Sequence, residues 1–360
     1  MSHAARIEAL AAGLEGRGVD ALLVTGLVNI RYLTGFSGSN AVLCVRPGGT
    51  TFLTDFRYLE RVRALRAFAD VRKARQDILR FTADHLGELA PGAARIGFEA
   101  AHLSVLGHQA LAAARDGAEL VPVVGAVEEL RAVKDAGEQA AVRHAAAPLE
   151  EVLRTLAEEG VAGRSEADVA WRIVELFHRL GADGPSFPSI VASAERGAQP
   201  HAVAGRERIP RGTLLTIDLG CMLDGYASDC TRTFATGELP GDLAEAYDVC
   251  LRAQELGVAG VRAGVEAGEV DARVRDAIAA AGHGEHFGHN TGHGVGLEVH
   301  EAPRLGPAST ATLRPGMVVT VEPGIYLPGR GGVRIEDLVI VTDDGCERLT
   351  GFTKELTSVG

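Results

Sequence analysis

Along the first 125 residues, short apolar runs alternate with longer stretches of helical spacing. The runs "DALLVTG", "AVLCVRP", "TTFLTD", "RIGFEA" and "LVPVV" are bounded by Gly, Pro or charged residues, which predicts strands. Between them, "FRYLERVRALRAFA" and "AHLSVLGHQALAAARD" repeat apolar residues three and four apart, which predicts helices. An α/β domain is therefore expected. Its histidines, His85, His102 and His108, stand singly in helical surroundings, so no cluster of titratable groups is expected there.

From Val127 the pattern changes. The charged, alanine-rich stretch "EELRAVKDAGEQAAVRHAAAPLEEVLRTLAEEG" predicts one long helix leading into a second domain, which places the domains at 1–126 and 127–360. In "DVAWRIVELFHRL", Val169, Ile173, Val174, Leu176, Phe177 and Leu180 share a face, and Ser165 followed by Asp168 is a capping signal. Beyond Pro185, apolar strands separated by Gly-rich turns are expected in "SFPSIVAS", "TLLTIDLGCML", "YASDCTRTFA", "MVVTVEPGIYL" and "GGVRIEDLVIVT", with helices over 242–263 and 266–281.

Composition narrows the function classes. A length of 360 residues is too great for one ordinary core and agrees with two domains. No apolar run approaches the roughly 18 residues of a membrane span, and "MSHAARIEAL" lacks a secretory n-region, so a cytoplasmic protein is expected. The formal charge of -12, without a basic block, disfavours nucleic acid and anionic lipid as partners. Cys44, Cys221, Cys230, Cys250 and Cys346 are far apart with no CxxC, which predicts free thiols.

The informative residues are carboxylates inside apolar runs, where desolvation costs several kcal/mol unless it is compensated. Asp218 lies in "LLTIDLG", Glu322 in "VVTVEPGIY" and Glu336 in "GVRIEDLVIV". Asp224-Gly225 predicts a two-residue type I′ hairpin turn with Leu223 facing Tyr226. Continuing that register puts Asp218 opposite Thr231 and diagonal to Asp229, on one face, with Cα atoms roughly 7–8 Å apart. Two such carboxylates repel unless a cation joins them. Taken singly, Asp218 or Asp229 fits a turn or edge, and Glu322 or Glu336 fits an ordinary ion pair. Together the four carry a formal charge that two divalent cations would neutralise. One imidazole from the glycine-rich "GHNTGHGVGLEVHE" would complete a mostly oxygen shell suited to Mn²⁺, or to Co²⁺ or Zn²⁺. Two such metals can activate a water and polarise a carbonyl for hydrolysis.

The strings "TIDLGCMLDGYASDCTRTF", "GHNTGHGVGLEVHE", "VVTVEPGIY" and "GGVRIEDLVIV" resemble the pita-bread metallopeptidases, which include Xaa-Pro aminopeptidases, Xaa-Pro dipeptidases (prolidases) and methionine aminopeptidases. Residues 1–125 resemble a creatinase-type N-terminal domain in "NIRYLTGFSGSNAVLCV" and "FLTDFRYLERV", a domain that methionine aminopeptidases lack. The resemblance implies an α/β (α+β) chain: a creatinase-like domain, then a pita-bread domain with a curved, mostly antiparallel sheet covered by helices. It implies two divalent metal ions held by Asp218, Asp229, His293, Glu322 and Glu336. It also implies substrate-side roles for His201 and His300, a proton-shuttling role for Glu322, and places for His289, Tyr326 and Arg334 around the centre. Glycine is usual in the family where this chain has Ala194.

The expected activity is that of an Xaa-Pro aminopeptidase acting on short proline-containing peptides, with an Xaa-Pro dipeptidase as the alternative. Arg304 in "HEAPRLG" lies where a prolidase-like arginine could capture the C-terminal carboxylate, but the same string occurs in aminopeptidases. A homodimer is implied as well. A metal-free amidinohydrolase or an inactive binding module of the same fold is disfavoured, because all five ligand positions are kept.

Overall fold

In the computed structural model, which describes residues 1–75, 77–114 and 117–360, the chain divides into two units, Met1–Arg131 and Ala132–Gly360. Six strands build the first unit: β1 (Ala21–Val24), β2 (Ala41–Arg46), β3 (Gly49–Thr54), β4 (Asp70–Lys73), β5 (Arg95–Glu99) and β6 (Glu119–Val123). They form one mixed sheet in the order β4-β3-β2-β1-β5-β6. All four residues of β1, near the middle, are buried, as expected of a strand covered on both faces. Strand β4, "DVRK", was not among the expected runs. It sits at the sheet edge with no buried residue, where polar sequence is the rule and apolar patterning fades.

Two further expectations for this unit need correction. Residues 56–69 form turns and a short 3₁₀ helix, Arg63–Ala67, in place of a regular helix. Local polar partners explain the difference. The backbone and guanidinium of Arg57 both donate to Asp55, and Arg61 donates to the Ser37 hydroxyl, which holds the chain out of helical register. In the stretch 101–116 the helix is Val105–Ala114, while Arg115 and Asp116 lie outside the described residues. A titratable cluster does exist: Glu99 and His102, three residues apart, converge with Glu128 from further along the chain, with candidate ligand atoms within 4.8 Å of one another. It satisfies itself. Glu99 accepts from the Thr25 and Gly26 amides and from Asn29, and His102 Nε2 lies 2.8 Å from Glu128 Oε1.

The second unit carries β7 (Gly184–Pro185), β8 (Ile190–Ser193), β9 (Leu214–Leu219), β10 (Cys221–Leu223), β11 (Tyr226–Ala227), β12 (Cys230–Ala235), β13 (Gly292–Gly294), β14 (Glu301–Leu305), β15 (Val318–Val321), β16 (Gly324–Leu327), β17 (Gly331–Arg334), β18 (Asp337–Val341) and β19 (Cys346–Arg348). The sheet orders are β11-β10-β7, β12-β9-β8, β14-β13-β15-β18-β19 and β16-β17. Every pairing between these strands is antiparallel.

Two pairs of helices cover the sheets. Ala136–Glu159 and Glu166–Arg179 bury Leu149, Leu153, Ile173 and Phe177 against Val191, Leu215 and Ile217. Gly241–Gly260 and Ala267–Ala280 bury Tyr247, Cys250 and Val274 against Ile325 and Val333. The single long helix expected from residue 127 is instead two, Glu128–Ala132 and Ala136–Glu159. Asp135 interrupts it: its carboxylate caps the Gly137 and Glu138 amides while Glu138 reaches back to the Asp135 amide, a complete capping box. Among the described residues no helix is long and apolar enough to cross a membrane. All five cysteines are free.

The expected long strands are also interrupted, at Gly220 and at residues 228–229, 322–323 and 335–336. Three of these gaps contain Asp229, Glu322 and Glu336.

Candidate metal centre

The hairpin register is the one the turn predicts. Asp224 and Gly225 have φ of 51° and 82°, Leu223 pairs with Tyr226, and Asp218 pairs with Thr231. Asp218 thus points from a strand interior, and Asp229 reaches in from the gap just before β12. Glu322 and Glu336 project where the ladder lapses, so their backbones are free to turn the side chains inward. His293 comes from β13, whose register shifts just after it. A Cβ at Gly292 would collide with the Thr320 carbonyl and one at Gly294 with the Ala302 carbonyl. Only glycine lets this strand press so closely against its neighbours.

The five side chains meet. His293 Nε2 lies 3.2 Å from Glu322 Oε1 and 3.6 Å from Asp229 Oδ2. Atoms of Asp229, His293 and Glu336 fall within 4.8 Å of one another. Arg334 Nη2 donates to Asp218 Oδ2 at 2.8 Å, and Thr231 Oγ1 donates to Glu336 Oε2 at 2.7 Å. His293 Nδ1 sits 3.1 Å from the Gly294 carbonyl, which turns Nε2 toward the carboxylates.

Electrostatically this is a strained collection. Burial, and then the charges of Glu336, Asp218 and Glu322, push the Asp229 carboxyl well above the ordinary range. Burial, then Glu322 and Asp218, do the same to Glu336. Burial also raises Asp218, partly offset by Arg334. Burial raises Glu322 too, but its hydrogen bond to His293 and the charges of His293, His289 and Arg334 together outweigh burial and lower it, and Glu322 in turn raises His293 against its own burial.

The model of the family described as "Metallopeptidase family M24" matches residues 134–343, and that described as "Creatinase/Prolidase N-terminal domain" matches residues 6–133. The chain belongs to metallopeptidase family M24. It is 32% identical to the Xaa-Pro dipeptidase of Pyrococcus furiosus over 354 residues, covering 98% of this chain and 99% of the relative. The solved Xaa-Pro dipeptidase from Bacillus anthracis is 40% identical, with a TM-score of 0.95, over 99% of this chain and 100% of that one. The X-Pro aminopeptidase from Thermotoga maritima is 30% identical, with a TM-score of 0.85, over 95% and 98% respectively. The chain is thus a metallopeptidase of the pita-bread fold, and M24 membership implies divalent metal ions.

The residues of this M24 peptidase fit such ions. Asp218 Oδ1 and Glu336 Oε1 are buried with no hydrogen-bond partner among the described residues, an expensive arrangement unless a cation takes those lone pairs. The carboxylates pushed toward protonation are the ones a cation would relieve.

Around these five lie the other expected residues. Buried Tyr326 has its hydroxyl 3.0 Å from Arg334 Nη1 and 2.8 Å from His289 Nε2, and burial raises it to about 12. The His300 ring packs edge-on to His293, with centroids 4.3 Å apart. Burial and the neighbouring His293 lower the His300 proton affinity, and burial lowers that of His289. His201 is exposed on the 194–207 connection, near enough for its charge to act on both His289 and His300. Arg304, exposed on β14, pairs directly with His293 across the ladder. Two contributors went unread in the sequence. Thr231 donates to Glu336 and accepts from Arg334 Nε, and Thr320 bonds the His293 amide and Glu322 Oε1. The hairpin register, which sets Thr231 opposite Asp218, carried the signal for the first.

Proposed function

We propose that this peptidase is an Xaa-Pro dipeptidase, cleaving the bond between a first residue and a C-terminal proline, with two Mn²⁺ ions held by Asp218, Asp229, His293, Glu322 and Glu336. The observation that carries the dipeptidase reading is Arg304. It stands directly opposite His293, exposed, and no carboxylate among the described residues pairs with it. A substrate anchored at the metal centre would end in a carboxylate about two residues, or roughly 7 Å, away. The sequence alone tilted toward an aminopeptidase. The names of the Bacillus anthracis and Pyrococcus furiosus relatives favour the alternative.

When bound, the ions supply Lewis acidity toward the scissile carbonyl and compensate the carboxylates. Glu322, kept ionised by His293, takes the proton from the attacking water and delivers it to the proline nitrogen as the C–N bond breaks. His300, held toward its neutral form, donates a hydrogen bond to the carbonyl oxygen as negative charge develops there. His201 holds the proline side of the substrate, and Arg304 receives its carboxylate. The His289–Tyr326–Arg334 chain orients Asp218.

The test is hydrolysis of Ala-Pro against Ala-Pro-Gly by Mn²⁺-loaded protein. The dipeptide should be cleaved faster, and preference for the tripeptide would restore the aminopeptidase reading.

A further inference from the structure

His201 has no side-chain hydrogen bond among the described residues, so it is placed only as well as its backbone. That backbone is held by a residue outside the reacting groups. Glu166, in the first turn of the helix Glu166–Arg179, has a side chain with 0% exposure. A glutamate at this point of a helix is ordinarily solvated. Here Oε1 accepts from the Ser193 amide at 2.9 Å and the Ser193 hydroxyl at 3.0 Å. Oε2 accepts from Arg196 Nε at 2.9 Å and the Gly205 amide at 3.2 Å. Arg196 closes the ring by donating to the Val203 carbonyl.

One carboxylate therefore ties together both ends of the segment 193–205, which has His201 toward its far end. Its base is registered to the metal centre, because Ser193 ends β8 and Ile190 of that strand pairs with Asp218. The carbonyl just before His201, that of Pro200, accepts from Arg334 Nη1 at 3.3 Å, and Arg334 also holds Asp218. Within the segment Ala194 is held at a φ of 49°, a left-handed conformation that a non-glycine residue adopts only when its surroundings impose it.

We propose that Glu166 is a positioning residue for His201, setting the substrate-side histidine through four charge-assisted hydrogen bonds to the loop that carries it. The inference rests on the dipeptidase reading for its activity arm only.

Glu166→Gln preserves shape but replaces an acceptor oxygen by a donor amide facing donors. A misplacement on the order of 1 Å costs up to about 100-fold, so kcat/KM for Ala-Pro should fall about 10- to 100-fold while bound metal per chain stays at the wild-type value. Amide exchange at Ser193 and Gly205 should quicken at least about tenfold, as loss of their acceptor requires. In a His201→Ala background the same substitution should cost less than about twofold more, because the two residues act as one unit. Ser193→Ala, which removes a single hydroxyl donor, should show the same coupling at smaller size and serves if Glu166→Gln does not fold. Equal losses with and without His201, or unchanged kcat/KM in either variant, would overturn the proposal. If the wild-type protein leaves Ala-Pro intact, the functional reading fails separately, and unchanged amide exchange then overturns the role of Glu166.

Discussion

Replacing Arg304 by Gln should separate recognition of the substrate's end from the chemistry. The guanidinium is exposed, lies opposite His293 on the same face of the β13–β14 ladder, and meets no protein carboxylate among the described residues. A hydrogen bond to a charged group contributes about 1.5–3 kcal/mol, which at about 1.4 kcal/mol per decade corresponds to roughly 10- to 100-fold. Solvent access at Arg304 places the expectation toward the lower end unless the bound peptide excludes water. The carboxylate of the proline does not change charge as the peptide bond breaks, so the contact is equal in ground and transition states. Its loss should therefore appear in KM, with kcat nearly unchanged.

The assay is steady-state hydrolysis of Ala-Pro and of its C-terminal amide, which has the same shape but no carboxylate. Arg304→Gln should lose about tenfold or more in kcat/KM on the acid and less than about threefold on the amide. The acid's advantage over the amide should shrink with added salt in the wild-type protein and be small at all salt concentrations in the variant. Equal losses on the two substrates, or a loss confined to kcat, would refute the assignment of Arg304 to the carboxylate.

Asp229→Ala should abolish both metal uptake, measured by elemental analysis, and peptide hydrolysis; an active variant without metal would refute the assigned ligand set. Ala194→Gly should stabilise the protein, because the left-handed conformation costs a non-glycine residue about 1–2 kcal/mol and the added freedom of the unfolded chain returns about 0.4–1 kcal/mol of that. A net gain of roughly 0.5–1 kcal/mol should raise Tm by about 1–4 °C, and a lower Tm would show that the loop does not impose the conformation. Asp337, buried at 0% exposure, is paired at 2.8 Å with Arg232, at 3.1 Å with Lys354 and more loosely, at 4.0 Å, with Arg348. Arg232→Met and Lys354→Met each leave it one close cation and should cost about 1.5–3 kcal/mol, while the double variant leaves only the more distant Arg348 and should lose more than the sum. Additive losses in denaturant melts would count against that account.

The hairpin and the strands near it were legible because their signals are local. An Asp-Gly pair between apolar runs sets a turn, the turn sets a register, and a period of two carries that register back to Asp218 and Thr231. Carboxylates in apolar runs were legible for an energetic reason, since burying them requires compensation wherever the fold places them. The correction at residues 56–69 shows the converse. There the spacing was helical, but Asp55 and Ser37 offered Arg57 and Arg61 partners that periodicity does not weigh.

What stayed hidden depends on contacts between residues far apart in the chain. Sequence reads "VVTVEPGIYL" and "GGVRIEDLVIV" as continuous strands because both sides of each break are apolar. The folded unit breaks them at Glu322 and Glu336, and the carbonyl freed at Glu336 is taken by buried Arg232 from β12. Glu166 was hidden in the same way: next to Ser165 it reads as an ordinary first-turn acid, and only residues 193–205 folding over it reveal its task. The breaks and the buried acids belong together physically. A strand that stays in its ladder points alternate side chains to fixed faces, and four carboxylates could not then converge. Interrupting the ladder at three of them allows convergence, and each interruption leaves polar backbone that another buried residue must satisfy. Residues such as Arg232 and Thr231 are therefore as necessary to the site as the carboxylates: the hairpin register points to Thr231, but nothing in its own neighbourhood of sequence marks Arg232.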